Sequence, residues 1–333
     1  MTEIIFEAIQ YNLNTMSKFP NVLDKNGLAV ITGGASGFGY ETSKRLLSSG
    51  MSVCILDVSE KELQAAKVTL TPIAKQSGAR VFGFKCNVTA IDDCIAAQRA
   101  IASEFPNKKI SFLFNNAGIQ GNAGFSILQS PTNTWKPIFA VNVFGAVNIL
   151  QAFTESLVAA GPLPSGKKTH IVTTSSVVGL LNHNPGAYSV SKMAVTAVCE
   201  QFAIELQNMG EKAIHIAPHS LHPTAAATNF MENRDADGKK RDEKGSIKAM
   251  TKALGAATAD DIIDGLFKGL DMNQSYIIVD HPLDIPTGLQ LSARVADQIN
   301  QTRPRPAKQL AMMVPADKKA ARELEIKLLK SHL

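Results

Sequence analysis

The feature of this sequence that most constrains its fold is a regular alternation, from residue 28 onward, of short apolar runs with longer helix-patterned stretches. Strand-like runs fall at 28–32, 51–56, 81–86, 110–114, 170–174, 213–217 and 276–279, and helical patterns fill gaps at 40–49, 60–76, 90–104 and 192–209. Parallel strands cannot be joined by a tight turn and need a crossover, usually a helix, so this rhythm is what βαβ units require. The runs are apolar on both faces, as befits a sheet covered by helices on either side. The expected fold is therefore α/β: a doubly wound parallel sheet of seven strands in a single domain, followed by a helical C-terminal tail. With 45% hydrophobic and 19% charged residues, the chain has the apolar content for such a core.

The expected division is an N-terminal extension over 1–26, the α/β domain over 27–285 and a basic helical tail over 286–333. Within the domain, 230–250 is polar and highly charged, and reads as a mobile insertion on the substrate side. The net charge of +5 belongs wholly to the tail: from Thr287 onward nine Lys/Arg face four Asp/Glu, a surplus of five, so the preceding residues balance at 25 against 25. No aromatic residue interrupts that stretch to stack on bases, so a solvated basic helix is expected and a nucleic-acid partner is not. No apolar run reaches the ~18 residues of a membrane span. Residues 1–16 carry two glutamates and no cation, unlike a signal or transit peptide. Cys54, Cys86, Cys94 and Cys199 lack Cys-x-x-Cys spacing and read as reduced thiols of an intracellular protein. His219 and His222 stand three apart with no third ligand suitably spaced; they read as polar loop residues, and no metal site is expected.

Chemistry gathers in a few motifs. Tyr188-Ser-Val-Ser-Lys192 sets a phenol and an ammonium one helical turn apart on the same face. A lysine held there favours the phenolate and is expected to lower the tyrosine pKa from roughly 10, as a general acid–base near neutral pH requires. The loop 33–39, Gly-Gly-Ala-Ser-Gly-Phe-Gly, follows a strand and opens a helix. Gly33, Gly37 and Gly39 let the backbone approach a pyrophosphate, Ser36 and Phe38 flank it with their amides, and the helix N-terminus offers its positive dipole end. Asp57 closes the second strand, where a carboxylate accepts hydrogen bonds from ribose hydroxyls and repels a 2′-phosphate. No Lys or Arg lies within 33–40 or just after Asp57, so NAD is expected over NADP.

Together with Asn115-Asn-Ala-Gly118, Asn142 in a Val-Asn-Val run and Ser175-Ser176 after an apolar strand, these motifs stand in the order of the short-chain dehydrogenase/reductases. The chain resembles that family from about residue 28 to about residue 281. The resemblance implies a Rossmann fold, with Tyr188 as acid–base and Lys192 as its pKa-lowering, ribose-binding partner. It implies that Asn142 supports a water chain from the lysine. Ser176, which precedes Val-Val-Gly, is preferred to Ser175 as the donor to the substrate oxygen. Asn87 and Val88 stand where the family usually has Asp-Val against the adenine. Asn115, Ala117 and Gly118 are expected to stabilise the sheet and line the cofactor. Pro223, Thr224 and Thr228 follow the sixth strand beside the nicotinamide, Thr224 replacing the family's usual glycine. His183, between the serine and Tyr188, is expected to face substrate.

The implied activity is NAD-dependent hydride transfer interconverting a secondary alcohol and a ketone on a small molecule. Aromatic (benzylic) alcohols and hydroxysteroids are the substrate classes considered. The alternatives are a catalytically idle cofactor-binding module and an NAD-retaining epimerase or dehydratase. The resemblance also implies a homodimer or homotetramer, paired through the helices around 142–157 and 192–209. Ser331-His332-Leu333 fits the small–basic–leucine pattern of peroxisomal signals, so the cytoplasm or, for a eukaryotic source, the peroxisome is the expected location.

Overall fold

The computed structural model describes residues 22–121, 126–181, 186–224 and 257–280, together with 226 and 291. β1 (Leu28–Thr32) leads through α1 (Gly37–Ser48), β2 (Ser52–Asp57), α2 (Glu60–Ser77), β3 (Val81–Lys85) and α3 (Ile91–Glu104) to β4 (Ile110–Asn115). The chain continues as α4 (Thr132–Phe139), a π-helical turn (Ala140–Phe144), α5 (Gly145–Ala160), β5 (Thr169–Thr174) and a 3₁₀ turn (Val177–Gly179). It closes with α6 (Ala187–Asn208), β6 (Ile216–Pro223), α7 (Ala259–Asp271) and β7 (Tyr276–Val279). The seven strands form one sheet in the order β3-β2-β1-β4-β5-β6-β7, and every pairing is parallel.

β1 explains why its sequence is apolar throughout. Ala29 and Ile31 point into a cluster with Leu46 and Leu47 of α1, Leu70 of α2 and Phe267 of α7. Leu28 and Val30 point the other way, onto Ile101 of α3, Phe153 of α5 and Phe202 of α6. Helices thus cover both faces: the sheet is doubly wound, as the alternation implied, and the fold is the Rossmann fold implied by the resemblance. The strand order reverses between β1 and β4, the switch point at which such sheets open a crevice beyond their carboxyl ends. Arg45 on α1 is 1% exposed and clasps α7, with 2.6 Å to Asp260 Oδ1 and 2.5 Å to Asp264 Oδ1. A buried guanidinium needs such partners, since removing either carboxylate would leave part of its charge uncompensated.

Several boundaries differ from the sequence reading. β6 is not 213–217 but Ile216–Pro223, so His219 and His222 are strand residues buried in the sheet, not loop residues. The polar letters of His-Ser-Leu-His hide the strand, because each polar group finds a partner inside. α6 begins at Ala187, five residues earlier than the apolar pattern indicated. α4, the π turn and α5 join into one helical stretch, Thr132–Ala160, that is long and apolar enough to cross a membrane by length and composition, although polar residues interrupt its apolar runs. Half of its most apolar window is buried within the protein, as for a core helix. Residues 1–21 of the N-terminal extension, the 230–250 insertion, His183, Thr228 and the tail apart from residue 291, with its Ser331-His332-Leu333 end, lie outside the described residues.

Candidate active site

The cofactor end is built by backbone at the tip of β1. Gly33 and Gly37 take φ of +61° and +53°, a region that glycine enters without a Cβ penalty. Gly39 has no room for a side chain: a Cβ there would lie 2.3 Å from the Gly33 carbonyl oxygen. Ser36 is the N-cap of α1, yet its side chain makes no capping bond to the helix, unlike Ser59, whose hydroxyl accepts from Glu62 N at the start of α2. The first turn of α1 therefore presents backbone N–H groups that its own cap residue does not satisfy. Phe38, in that turn, packs its ring against the core on the α1 side of the sheet.

Around this loop the neighbouring strand ends are tied together. Thr32 Oγ1 accepts from Asn116 N at 2.9 Å and Ala117 N at 3.0 Å, and Asn116 Nδ2 donates to Thr32 O at 3.2 Å. Asn115 Nδ2 donates to Ala146 O at 2.9 Å, anchoring the end of β4 to α5. Asp57 Oδ2 accepts from Ala35 N at 3.3 Å and Oδ1 from Ser59 N at 3.2 Å, holding the carboxylate against the glycine loop. Asn87 Oδ1 accepts from Thr89 N and Thr89 Oγ1, and Val88 is buried beneath it. A glycine cradle, an open helix N-terminus and a carboxylate at the end of β2 fit the phosphates and ribose of a dinucleotide. No group of three or more candidate ligands for a metal ion occurs among the described residues.

The four expected catalytic residues converge beyond β4 and β5. The π turn carries Asn142 inward, a use to which such bulges are often put. Its Oδ1 accepts from Ile119 N at 2.8 Å, and its Nδ2 donates to Ile119 O at 2.9 Å and Ser191 Oγ at 3.0 Å. Gly118 keeps the centre open: a Cβ there would stand 3.3 Å from Asn142 Oδ1 and 3.5 Å from Lys192 Nζ. Lys192 is buried, donates to Thr174 O at 2.8 Å, and stands 5.9 Å from the centre of the Tyr188 ring. Ser176 hydrogen-bonds the Tyr188 side chain, accepts from Val178 N at 3.3 Å and lies 3.5 Å from Pro223 O.

The two serines have different work. Ser175 Oγ donates to Lys192 O at 2.9 Å and lies 2.8 Å from Thr196 Oγ1, so it is spent on packing β5 against α6. Ser176 alone of the two reaches the phenol, which favours it as the substrate-facing serine. Pro223 ends β6, and Thr224 N donates to Val279 O at 3.0 Å, so the threonine in place of glycine continues the pairing with β7.

Electrostatics depart from the sequence expectation. Burial pushes the Tyr188 phenol up to about 12, against a lowering by the Ser176 hydrogen bond. Burial also pulls the Lys192 ammonium down to about 8. The anticipated fall in the tyrosine pKa is not found, because desolvation of the phenolate dominates and the ammonium is itself desolvated and committed to a carbonyl. Sequence reasoning also missed Thr32, which ends β1 just before the glycine loop, and His222, whose Nδ1 lies 3.0 Å from Ser176 O. A polar residue just before the strand-ending proline was the available signal.

Comparison with known proteins bears on this geometry. Residues 27–237 match the family described as short chain dehydrogenase. The chain is 31% identical over 217 residues to Short-chain dehydrogenase reductase 4 of Arabidopsis thaliana, covering 65% of this chain and 67% of that protein. It is 30% identical over 241 residues to Momilactone A synthase of Oryza sativa subsp. japonica, covering 71% and 80%. Among solved structures, a short-chain dehydrogenase/reductase from Burkholderia phymatum in complex with NAD superposes with a TM-score of 0.67 at 28% identity, covering 84% of this chain and 96% of the other.

Proposed function

Since the chain belongs to the short-chain dehydrogenase family and is an oxidoreductase of that family, we propose that it interconverts a secondary alcohol and a ketone, with Tyr188 carrying the proton. The observation behind this reading is the Ser176–Tyr188 hydrogen bond beside a buried Lys192. A substrate oxygen seated between the two hydroxyls would be held and protonated, or deprotonated, by the same pair. Lys192 raises the local positive potential where the alkoxide charge develops, and Asn142 fixes the helix from which Lys192 projects by holding Ser191. A bound nicotinamide supplies or accepts the hydride.

NAD is the cofactor favoured here. The Asp57 carboxylate, held at the glycine loop by Ala35 N and Ser59 N, suits ribose hydroxyls and opposes a 2′-phosphate. The substrate is taken to be a small alcohol or ketone. Exposed Phe144 and Ile204, on the π turn and α6, support self-association as a dimer or tetramer, which sedimentation at micromolar concentration tests. For the reaction itself, a panel of aromatic and steroidal ketones with NADH, read by loss of NADH absorbance, is the direct test. Tyr188→Phe should lower turnover about 10³-fold while leaving NAD affinity nearly intact. Activity within threefold of the parent would remove Tyr188 from the acid–base role.

A further inference from the structure

His222 is fully buried in β6, one residue before the proline that ends the strand, and every side of its ring is engaged. Nδ1 lies 3.0 Å from Ser176 O, Nε2 lies 2.9 Å from Ser220 Oγ, and the ring stacks on Tyr276 with centroids 5.9 Å apart. A carbonyl oxygen only accepts, so Nδ1 carries the proton, while Nε2 faces the Ser220 hydroxyl, whose one proton is shared with Ser275 O at 3.3 Å. The charged and titratable groups around it are Lys192 from α6 and Tyr276 from β7, whose phenol is bonded to Glu200 of α6 at 2.6 Å and lies near Cys199 of the same helix. Burial, with the Lys192 charge adding to it, lowers the imidazole pKa to about 4, against the hydrogen bond to Ser176 O. The ring is therefore neutral, and its tautomer is fixed.

The consequence falls on Ser176. Its backbone is extended, with φ −171° and ψ 163°, immediately before the 3₁₀ turn. Its peptide carbonyl faces His222 while its hydroxyl reaches Tyr188. Resting on the reading of Ser176 and Tyr188 as the reacting pair, we propose that His222 is the positioning residue of this site: its Nδ1–H holds the Ser176 carbonyl and so aims the Ser176 hydroxyl at the phenol. It touches neither substrate nor cofactor; it acts through the serine.

Two measurements on the full chain test this. Imidazole ¹⁵N spectra of labelled protein should assign to His222, by loss of its signal in His222→Asn, a neutral Nδ1–H tautomer with no protonation between pH 5 and pH 9. An Nε2–H tautomer, or titration near the ordinary histidine value, overturns the proposal whether or not a substrate is in hand. The second measurement contrasts two amides, using a ketone that the parent reduces with NADH. In His222→Asn the amide nitrogen can sit where Nδ1 does, and kcat should stay within threefold of the parent. In His222→Gln the amide reaches the Nε2 position and leaves the carbonyl with only the Gly179 N–H of its own 3₁₀ turn, 2.9 Å away. There kcat should fall at least tenfold with KM for NADH within twofold, and the pH limb assigned to Tyr188 should move upward as its Ser176 hydrogen bond weakens. Equal kcat and equal pH limbs for the two variants overturn the proposal. Tyr188→Phe run alongside separates the failures: if it turns over like the parent, the acid–base reading has failed; if it is inactive and the Asn and Gln variants match, only His222 has lost its role.

Discussion

The two halves of the sheet build their parts of the site by different means. At the tips of β1 and β2 the site is shaped by backbone: glycines at positive φ, an uncapped helix start and one carboxylate. At the tips of β5 and β6 it is shaped by buried side chains that hold neighbouring segments: Ser175 on Lys192 O and His222 on Ser176 O. The difference has a physical source. Phosphate recognition needs N–H groups and close approach, which a loop can supply alone. A proton carrier needs a tuned dielectric, and only burial and fixed dipoles provide that.

If the second half works through side chains with separate duties, neighbouring hydroxyls should not be interchangeable. Ser176→Ala should lower kcat roughly 10²-fold, the usual cost of a lost donor to a developing oxyanion. Ser175→Ala should instead lower stability, by about 1 kcal/mol for a buried hydrogen bond, and leave kcat within a few-fold. Steady-state kinetics beside thermal melts check both. Equal kcat losses would erase the distinction between the serines.

The halves should also part company in acid. All four described histidines, His170, His215, His219 and His222, lie on β5 and β6 or just before β6, and all are buried. Burial lowers the His219 pKa, and lowers that of His222 from 6.5 to about 4. A folded pKa below the unfolded one means that the unfolded chain takes up the proton first. The stabilisation is therefore complete above pH 6.5 and is lost as pH falls toward 4. For His222 alone the full loss is on the order of 3 kcal/mol. Amide exchange followed from pH 7 to pH 5 should show β6 and β7 opening before β1 and β2. Uniform loss of protection would contradict it.

What was legible in the sequence follows the same line. β1 and β7 were placed to the residue, and the glycine loop with Asp57 could be read because each feature is local: a strand, a tight turn, a helix start. β6 was truncated because Pro218, His219, Ser220 and His222 break an apolar pattern, and their partners come from distant segments, Gln274 O for His219 and Ser176 O for His222. Ser176 could be preferred to Ser175 from the following Val-Val-Gly, but the reason, that Ser175 is consumed by Lys192 O and Thr196, needed the packing of α6 on β5. The direction of the Tyr188 shift was misjudged for a related reason. One-turn spacing announces the lysine's charge but not how far burial desolvates the phenol.

In the first half, backbone geometry should resist the smallest change. Gly39→Ala sets a methyl 2.3 Å from the Gly33 carbonyl, so the loop must shift; a loss of about 1–3 kcal/mol and weaker NAD binding are expected. Isothermal titration with NAD and a thermal melt measure the two parts.

Asp57→Ala should have the mildest consequence, because it removes selectivity rather than the cradle. The carboxylate holds Ala35 N and Ser59 N, both part-buried, and a loop that has lost these acceptors keeps its glycines. NAD would lose its ribose partner, a charge-assisted bond of roughly 1.5 kcal/mol, while a 2′-phosphate would be relieved of a repelling charge. The two effects oppose each other in sign on the two cofactors, so their ratio is the sensitive quantity. The preference for NAD over NADP should fall about tenfold or more, with NAD affinity itself weakened about tenfold. A parent enzyme that already binds NADPH more tightly than NADH would show that Asp57 does not select at this site, and the loop would then be recognising phosphate through backbone alone.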